Sequence, residues 1–237
     1  MIITYARCSS PSARKIAEQD DDIILSRSSS GDVNWGRARA NTSLNSDITN
    51  STNKRVMRTL FAENDVPMPK LYTDHEAHAL AKEGKELIGR PDRHSGGRGL
   101  WRINSNDTFM NAYRGTRRKK AATHFMEFID APREYRVHIF KGRSIRLSEK
   151  RHGETGDTAH GNYITVRPDP EHNIRHVREA AKRAVEAVGL DFGAVDVLAN
   201  NNECWVLETN ASPGIGGSLP KLYADTFTKW KNGELND

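Results

Sequence analysis

Cysteine is nearly absent from the chain. Its two thiols, Cys8 and Cys204, stand 196 positions apart. Neither has a CxxC partner or a Cys/His cluster beside it, which argues against a disulfide framework and a thiolate zinc site. Long apolar runs are missing as well: no stretch approaches the ~18 apolar residues of a membrane span. The opening MIITYARC has neither the apolar length nor the basic lead of a signal peptide. These absences predict a soluble, cytoplasmic protein with no membrane partner. Also missing are internal repeats, a Gly-Lys-Ser/Thr loop opening a helix, a dinucleotide fingerprint and a Ser/His/Asp set.

What is present begins with size and charge. At 237 residues the chain can build a real core and suits one elaborate domain or two to three small subdomains. Lys and Arg outnumber Asp and Glu by 36 to 31, so an anionic partner fits, whether nucleotide, nucleic acid or acidic peptide. The densest basic run, RGTRRKK at 114–120, has no aromatic residue interleaved. It reads first as a solvated loop or helix end, and only second as a patch for nucleic acid or an acidic substrate.

Along the chain, residues 1–50 read as a small α/β piece: strand IITYA, helix SARKIAEQ, strand IILS, then a polar tract rich in Ser, Asn and Gly. A helix over TNKRVMRTLFAEN places Val56, Leu60 and Phe61 on one stripe, and VPMP stops it. There follow helix DHEAHALAKE, strand ELIGR, a glycine-rich loop, strand LWRI, helix NDTFMNAYR, and strands THFMEFI, EYRVHIF and RSIRLSEK. The last two meet at the hairpin signal Lys141-Gly142. After a loop with Gly153, Gly156 and Gly161 come strand YITVR and the helix EHNIRHVREAAKRAVEAVGL, whose Val177, Ala181, Ala184 and Val185 share an apolar stripe. DFGAVDVLA and ECWVLETN flank an NNN turn, and a final helix starts near Leu219. This order predicts an α+β unit with largely antiparallel sheets.

Three constellations can carry chemistry. In ETNASPGIGG, Glu208 and Asn210 lie two apart and share a strand face. A three-residue turn at Asn200–Asn202 would set Asp196 opposite Val206 and on that same face, whereas a four-residue turn would put it on the other. Two carboxylates and an amide oxygen form the hard-oxygen set that suits Mg²⁺. Such carboxylates ordinarily lie in solvent, but GAVDVL and WVLE are otherwise apolar, where an unpaired charge is expensive. The second constellation is GRPDRHSGGRGLWRI, a glycine-dense loop with Arg90, Arg93 and Arg98; it is either a flexible turn or an anion cradle. The third is HFMEFIDAPREYRVHIF, where Glu134 and Arg136 share a strand face. They read as a cross-strand ion pair, or as a carboxylate for ribose beside an arginine for phosphate.

Taken together and in this order, these segments resemble the ATP-grasp superfamily of ATP-dependent carboxylate-amine ligases over roughly residues 50–220. Within it they are most like the branch that includes ribosomal-protein glutamate ligases and small virus-encoded relatives. The resemblance implies an α+β ATP-grasp fold, two α/β subdomains clasping ATP after a small N-terminal α/β piece. Residues 1–66 would form the reduced N-terminal domain and linker helix, 67–130 the small subdomain with its glycine-rich loop, and 131–237 the large subdomain with the metal site. By the same resemblance, Arg90, Gly96, Gly97 and Gly99 belong to the phosphate-covering loop, Glu127, Phe128 and Ile129 to the hinge whose backbone holds adenine, and Glu134 to the ribose site. Asp196, Glu208 and Asn210, at spacings of 12 and then 2, match the triad for Mg²⁺ or Mn²⁺.

Lys54 resembles the first of the family's two ATP-phosphate lysines. Arg90 stands where the second is expected, keeping the charge while changing reach and hydration. Arg136 and Lys150 resemble the cations near the transferred phosphate and the acyl phosphate, and Asn162 is a further nucleotide contact. The activity implied is activation of a carboxylate as an acylphosphate and its joining to an amine. The implied partners are ATP, a carboxylate substrate and an amine acceptor such as a peptide or protein end, with homodimers common among relatives. Two other readings stay open: a kinase-like phosphotransferase of the same fold, and a degenerate module that binds nucleotide or nucleic acid.

Overall fold

In the computed structural model, which describes residues 1–6, 10–92, 99–152, 163–168 and 174–235, three sheets follow one another along the chain. The first is parallel. Strand β1 (Ile2–Tyr5), helix α1 (Ser10–Ala17), β2 (Ile24–Ser26), β3 (Ser30–Trp35) and β4 (Asn41–Leu44) build it in the order β2-β1-β3-β4. Strands β3 and β4 replace most of the expected polar tract. SGDVNW and NTSL lack a clean apolar alternation, yet Val33, Trp35 and Leu44 are fully buried.

Helices α2 (Thr49–Thr52) and α3 (Lys54–Glu63) lead out of this sheet. Asn53 caps α3, its side chain accepting from the amides of Arg55 and Val56. The buried face of α3 carries Lys54, Met57, Arg58 and Phe61, which corrects the expected stripe, since Val56 is 37% exposed. The inward face holds two cations because it looks onto carboxylates rather than onto a purely apolar core.

The second sheet is antiparallel and small. It comprises β5 (Leu71–Tyr72), α4 (Asp74–Lys82), β6 (Leu87–Arg90), β7 (Trp101–Ile103), α5 (Asn106–Arg114) and β8 (His124–Glu127), ordered β5-β8-β6-β7. Capping boxes at Thr73/Glu76 and Ser105/Thr108 fix the starts of both helices. Its core, which includes Ala77, Leu87, Ile103, Phe109 and Phe125, is its own. Strand β8 ends at Glu127, so Phe128 and Ile129 lie beyond the strand expected for them, and the Arg102 guanidinium stacks over the Phe128 ring at 4.4 Å. Gly99, at φ +90°, closes onto Pro91, whose Cγ would lie 2.9 Å from an added Cβ; the two ends of the glycine-rich segment therefore meet.

The third sheet is antiparallel and five-stranded, ordered β11-β10-β9-β12-β13. Its elements are β9 (Arg133–Phe140), β10 (Arg143–His152), β11 (Tyr163–Val166), α6 (Arg175–Ala187), β12 (Phe192–Ala199), β13 (Cys204–Asn210) and a closing helix α7 (Leu219–Lys231). Lys141 and Gly142, both at positive φ, turn β9 into β10 as the sequence predicts. Alternation along β9 divides two functions. Tyr135, Val137 and Ile139 join the core with Val177, Ala181, Ala184 and Val185 of α6, which leaves Glu134, Arg136 and His138 on the opposite face.

The first and third sheets share a core. Trp35 stacks on Phe192 and meets Tyr223 and Phe227 of α7 edge-on. Asn45, in the left-handed region at φ 54°, clamps the same junction. Its amide donates to Asp191 Oδ2 (2.6 Å), its Nδ2 to the Phe192 carbonyl (3.0 Å), and its Oδ1 accepts from the Asp191 amide (2.8 Å).

Candidate active site

The β12–β13 hairpin decides whether the carboxylates converge. Its turn has four residues, since Ala199 pairs with Cys204, closed by the Asn200 amide on the Glu203 carbonyl. That corrects the three-residue turn, and alone it would set Asp196 opposite Leu207, away from Glu208. A β-bulge between Val197 and Asp196 skips Leu207, so Asp196 pairs with Glu208 and Ala194 with Asn210. Bulges re-aim side chains in this way. Val206 stays in the core while Glu208 and Asn210 join the face of Asp196.

On the other side of β12, Asp196 pairs with Arg136 of β9, and Lys150 of β10 lies opposite Glu134. The result is two charged clusters side by side, related by the pairing of Asp196 with Glu208. Arg136 grips Asp196 with both prongs, Nε to Oδ1 and Nη2 to Oδ2, at 2.8 Å each. Lys150 Nζ reaches Asp196 Oδ2 at 2.9 Å and Glu134 Oε1 at 2.5 Å. From α3, Lys54 Nζ meets Glu208 Oε2 at 2.8 Å. Asn210 Nδ2 donates to Glu208 Oε1 at 3.2 Å, and its amide oxygen has no partner among the described residues.

Electrostatics follow from burial. Desolvation would raise the Asp196 carboxyl, but Arg136 and Lys150 draw it down to about 2. Glu208 is held below the usual carboxylate range: burial and Asp196 push it up, and Lys54 with Arg90 outweighs them. Lys150 is raised because Asp196 and Glu134 prevail over burial and Arg136. Arg90, at the end of β6, is lowered by burial against the pull of Glu208, Glu134 and Asp196. It therefore looks across from the small sheet onto the same carboxylates.

Arg58 is a member that sequence reasoning missed. It is 4% exposed and is pulled down to about 10 by burial and by Arg90, with Glu208 in partial compensation. Its only signal was position, one turn after Lys54 on the same helix face. Five cations thus surround three carboxylates, an excess that suits a polyanion.

Of the other expected site residues, Gly99 lies at the end of its loop, and Glu127, Phe128 and Ile129 lie at the end of β8 outside these clusters. Gly96, Gly97 and Asn162 fall outside the described residues, as do Cys8, Arg93, Arg98, Gly153, Gly156 and Gly161. Among the described residues no three His, Cys, Asp or Glu side chains converge as a metal cluster. The donors that do converge are two carboxylates and the oxygen of an amide, and these hard oxygens fit Mg²⁺. No described helix is long and apolar enough to cross a membrane.

No family model and no curated protein matches the chain. Solved structures do. A biotin carboxylase complex with β,γ-ATP from Campylobacter jejuni aligns with all of this chain and 72% of its own, at 15% identity and TM-score 0.70. D-alanine–D-alanine ligase from Bacillus anthracis aligns over 98% of this chain and 94% of its own, at 15% identity and TM-score 0.67. The ATP-grasp ligase PsnB, complexed with a minimal precursor, Mg and ADP, aligns over 96% of both chains at 14% identity and TM-score 0.65. In another PsnB complex the chain spans 60% of the neighbour's length, at 18% identity and TM-score 0.55. The fold is α+β of the ATP-grasp type.

Proposed function

We propose that this chain is an ATP-dependent carboxylate-amine ligase, of the branch that holds ribosomal-protein glutamate ligases and small virus-encoded enzymes. The observation that carries the reading is the pairing of Asp196 with Glu208 on adjacent strands, each neutralised by lysine or arginine and faced by Arg90 from the small sheet. Residues 67–130 and 131–237 would clasp the nucleotide as small and large subdomains, after the N-terminal 1–66.

In this reading Glu134 meets the ribose, the backbone of Glu127, Phe128 and Ile129 holds adenine, and Lys54 and Arg90 hold the phosphates under Gly96, Gly97 and Gly99, with Asn162 a further contact. Asp196, Glu208 and Asn210 would hold Mg²⁺ or Mn²⁺, which when bound neutralises charge on the phosphate chain. Arg136 and Lys150 stabilise the phosphoryl group in flight. A carboxylate oxygen of the substrate attacks the γ-phosphorus, the bond to the bridging oxygen breaks, and ADP leaves with that electron pair. An amine then attacks the acyl carbon, the acyl C–O bond breaks, phosphate departs with that electron pair, and the amine nitrogen gives up a proton to solvent to leave an amide. No protein nucleophile takes part; the residues position groups and balance charge. The amine acceptor is a peptide or protein end or a small amino compound, and the enzyme works in the cytoplasm as monomer or homodimer.

Thermal unfolding with ATP, with and without Mg²⁺, tests this. At about 100 times Kd the ligand stabilises by roughly 2.7 kcal/mol, a shift of several degrees. Asp196→Asn/Glu208→Gln should abolish the Mg²⁺-dependent part, and ADP release should require both a carboxylate and an amine. Release of ADP with a phosphorylated product and no amide would favour a phosphotransferase. No response of the wild type to ATP and Mg²⁺ sinks the proposal.

A further inference from the structure

Two guanidiniums beside these carboxylates are poorly served by the described residues. Arg58 is 4% exposed, and among the described residues its Nε has no hydrogen-bond partner and the buried Nε of Arg90 has none either. They arrive from separate elements, Arg58 from α3 one turn beyond Lys54, and Arg90 from the last position of β6. His124, paired with Arg90 across β8 and β6, adds a third such buried nitrogen, Nε2. Its other nitrogen lies 3.3 Å from Asp92.

For stability alone this arrangement makes little sense. The two positive charges act on each other in a desolvated place, and Glu208, the carboxylate whose charge acts on both, is already engaged by Lys54 and Asn210. A buried charge without full hydrogen bonding destabilises the fold, and an apolar side chain of the same volume would serve the packing better. Planar forks with unfilled donors match the oxygens of a phosphoryl group.

We propose that Arg58 and Arg90 form a two-guanidinium cradle for the phosphate chain of the nucleotide, with Arg58 as its deep wall. This rests on the nucleotide reading above and adds a binding residue to it. Arginine at both places also accounts for Arg90 standing where a lysine was expected: a pair of forks can divide the oxygens of one phosphoryl group, which two ammonium groups do less selectively.

The experiment compares wild type with Arg58→Gln, Arg58→Met and Arg58→Lys, measuring binding of ATP, adenosine and inorganic triphosphate by titration, and the thermal midpoint without ligand. The expected result is a loss of at least about 10-fold in ATP and triphosphate affinity for the Gln and Met variants. Adenosine binding should be unchanged, the Lys variant intermediate, and the ligand-free midpoint of Arg58→Met equal to or above that of wild type. ATP binding at wild-type strength in Arg58→Gln overturns the proposal. So does an equal loss of ATP and adenosine binding with a lowered ligand-free midpoint, which is the signature of a merely structural residue. Triphosphate binding that depends on Arg58, with ATP bound no more tightly than triphosphate, would leave the cradle standing while removing the nucleotide reading. A wild type that binds neither anion removes both.

Discussion

Asp196 carries more of the site's order than any other side chain, because Arg136 and Lys150 both converge on it and Glu208 lies opposite. Its carboxyl is lowered from 3.8 to about 2. The unfolded chain therefore binds this proton more readily than the folded one, and the stability it contributes is present above about pH 4 and lost as pH falls toward 2. Two histidines, His138 buried and His124 half-buried, act earlier. His138, hydrogen-bonded to Tyr223 at 2.8 Å, is pushed from 6.5 to about 3 by burial and then by Arg136. His124 falls from 6.5 to about 4 through burial and Arg58. Both are neutral when folded, so stability should decline as pH drops below about 6.5, before any carboxylate titrates. Urea midpoints measured from pH 7 to pH 3 should show two successive losses, the upper one reduced in His138→Phe and the lower in Asp196→Asn. A flat profile between pH 6.5 and pH 5 would contradict the assignment. At this scale the sequence singled out Asp196, Glu208 and Asn210 because polar side chains interrupt apolar strands there, and the structure sets the three on one face. Arg58 stayed hidden, since an arginine on a helix with Val56, Leu60 and Phe61 near it has every appearance of a solvated charge.

At the scale of elements, the hairpin of β12 and β13 shows why its strands were legible and its register was not. Alternation in GAVDVL and WVLE marks two strands, but a bulge leaves no mark in composition. Leu207 is an apolar residue among apolar residues, and only the geometry of the ladder makes it the skipped one. Strands β3 and β4 were illegible for another reason: the core that buries them includes Phe192 of β12 and Tyr223 and Phe227 of α7, which follow far along the chain. The hairpin is sensitive to small additions. A Cβ at Gly193 would lie 3.0 Å from the Asn210 carbonyl oxygen, so Gly193→Ala must push β13 outward at the position of a proposed metal ligand. The expected cost is about 1–3 kcal/mol of stability, with a weaker Mg²⁺ dependence of nucleotide binding. Calorimetric unfolding and a Mg²⁺ titration check the two effects together, and unchanged values in both would mean that β13 yields there without consequence.

Over the whole molecule, three sheets in sequence condense into two packed bodies. The small N-terminal α/β piece buries its apolar side chains against Phe140, Phe192, Tyr223 and Phe227, and is tied there by Asn45. The small sheet keeps a separate core. Trp35→Ala should therefore cost about 3–5 kcal/mol and lower the protection of β1, β3, β12 and α7 together in hydrogen exchange, leaving β6, β7 and β8 with wild-type opening rates. Loss of protection across all three sheets at once would show a single cooperative unit instead.

Trp101 is the one tryptophan within residues 67–130 among the chain's four. It is partly buried, with Lys119 over its ring at 4.2 Å and its indole nitrogen donating to the Lys120 carbonyl. Trp35 lies at the centre of the other body. The chain thus carries an indole emitter of its own in each half, one quenchable from solvent and one shielded. Tyrosine-for-tryptophan variants that leave a single emitter would let light alone say which half responds when a ligand is added.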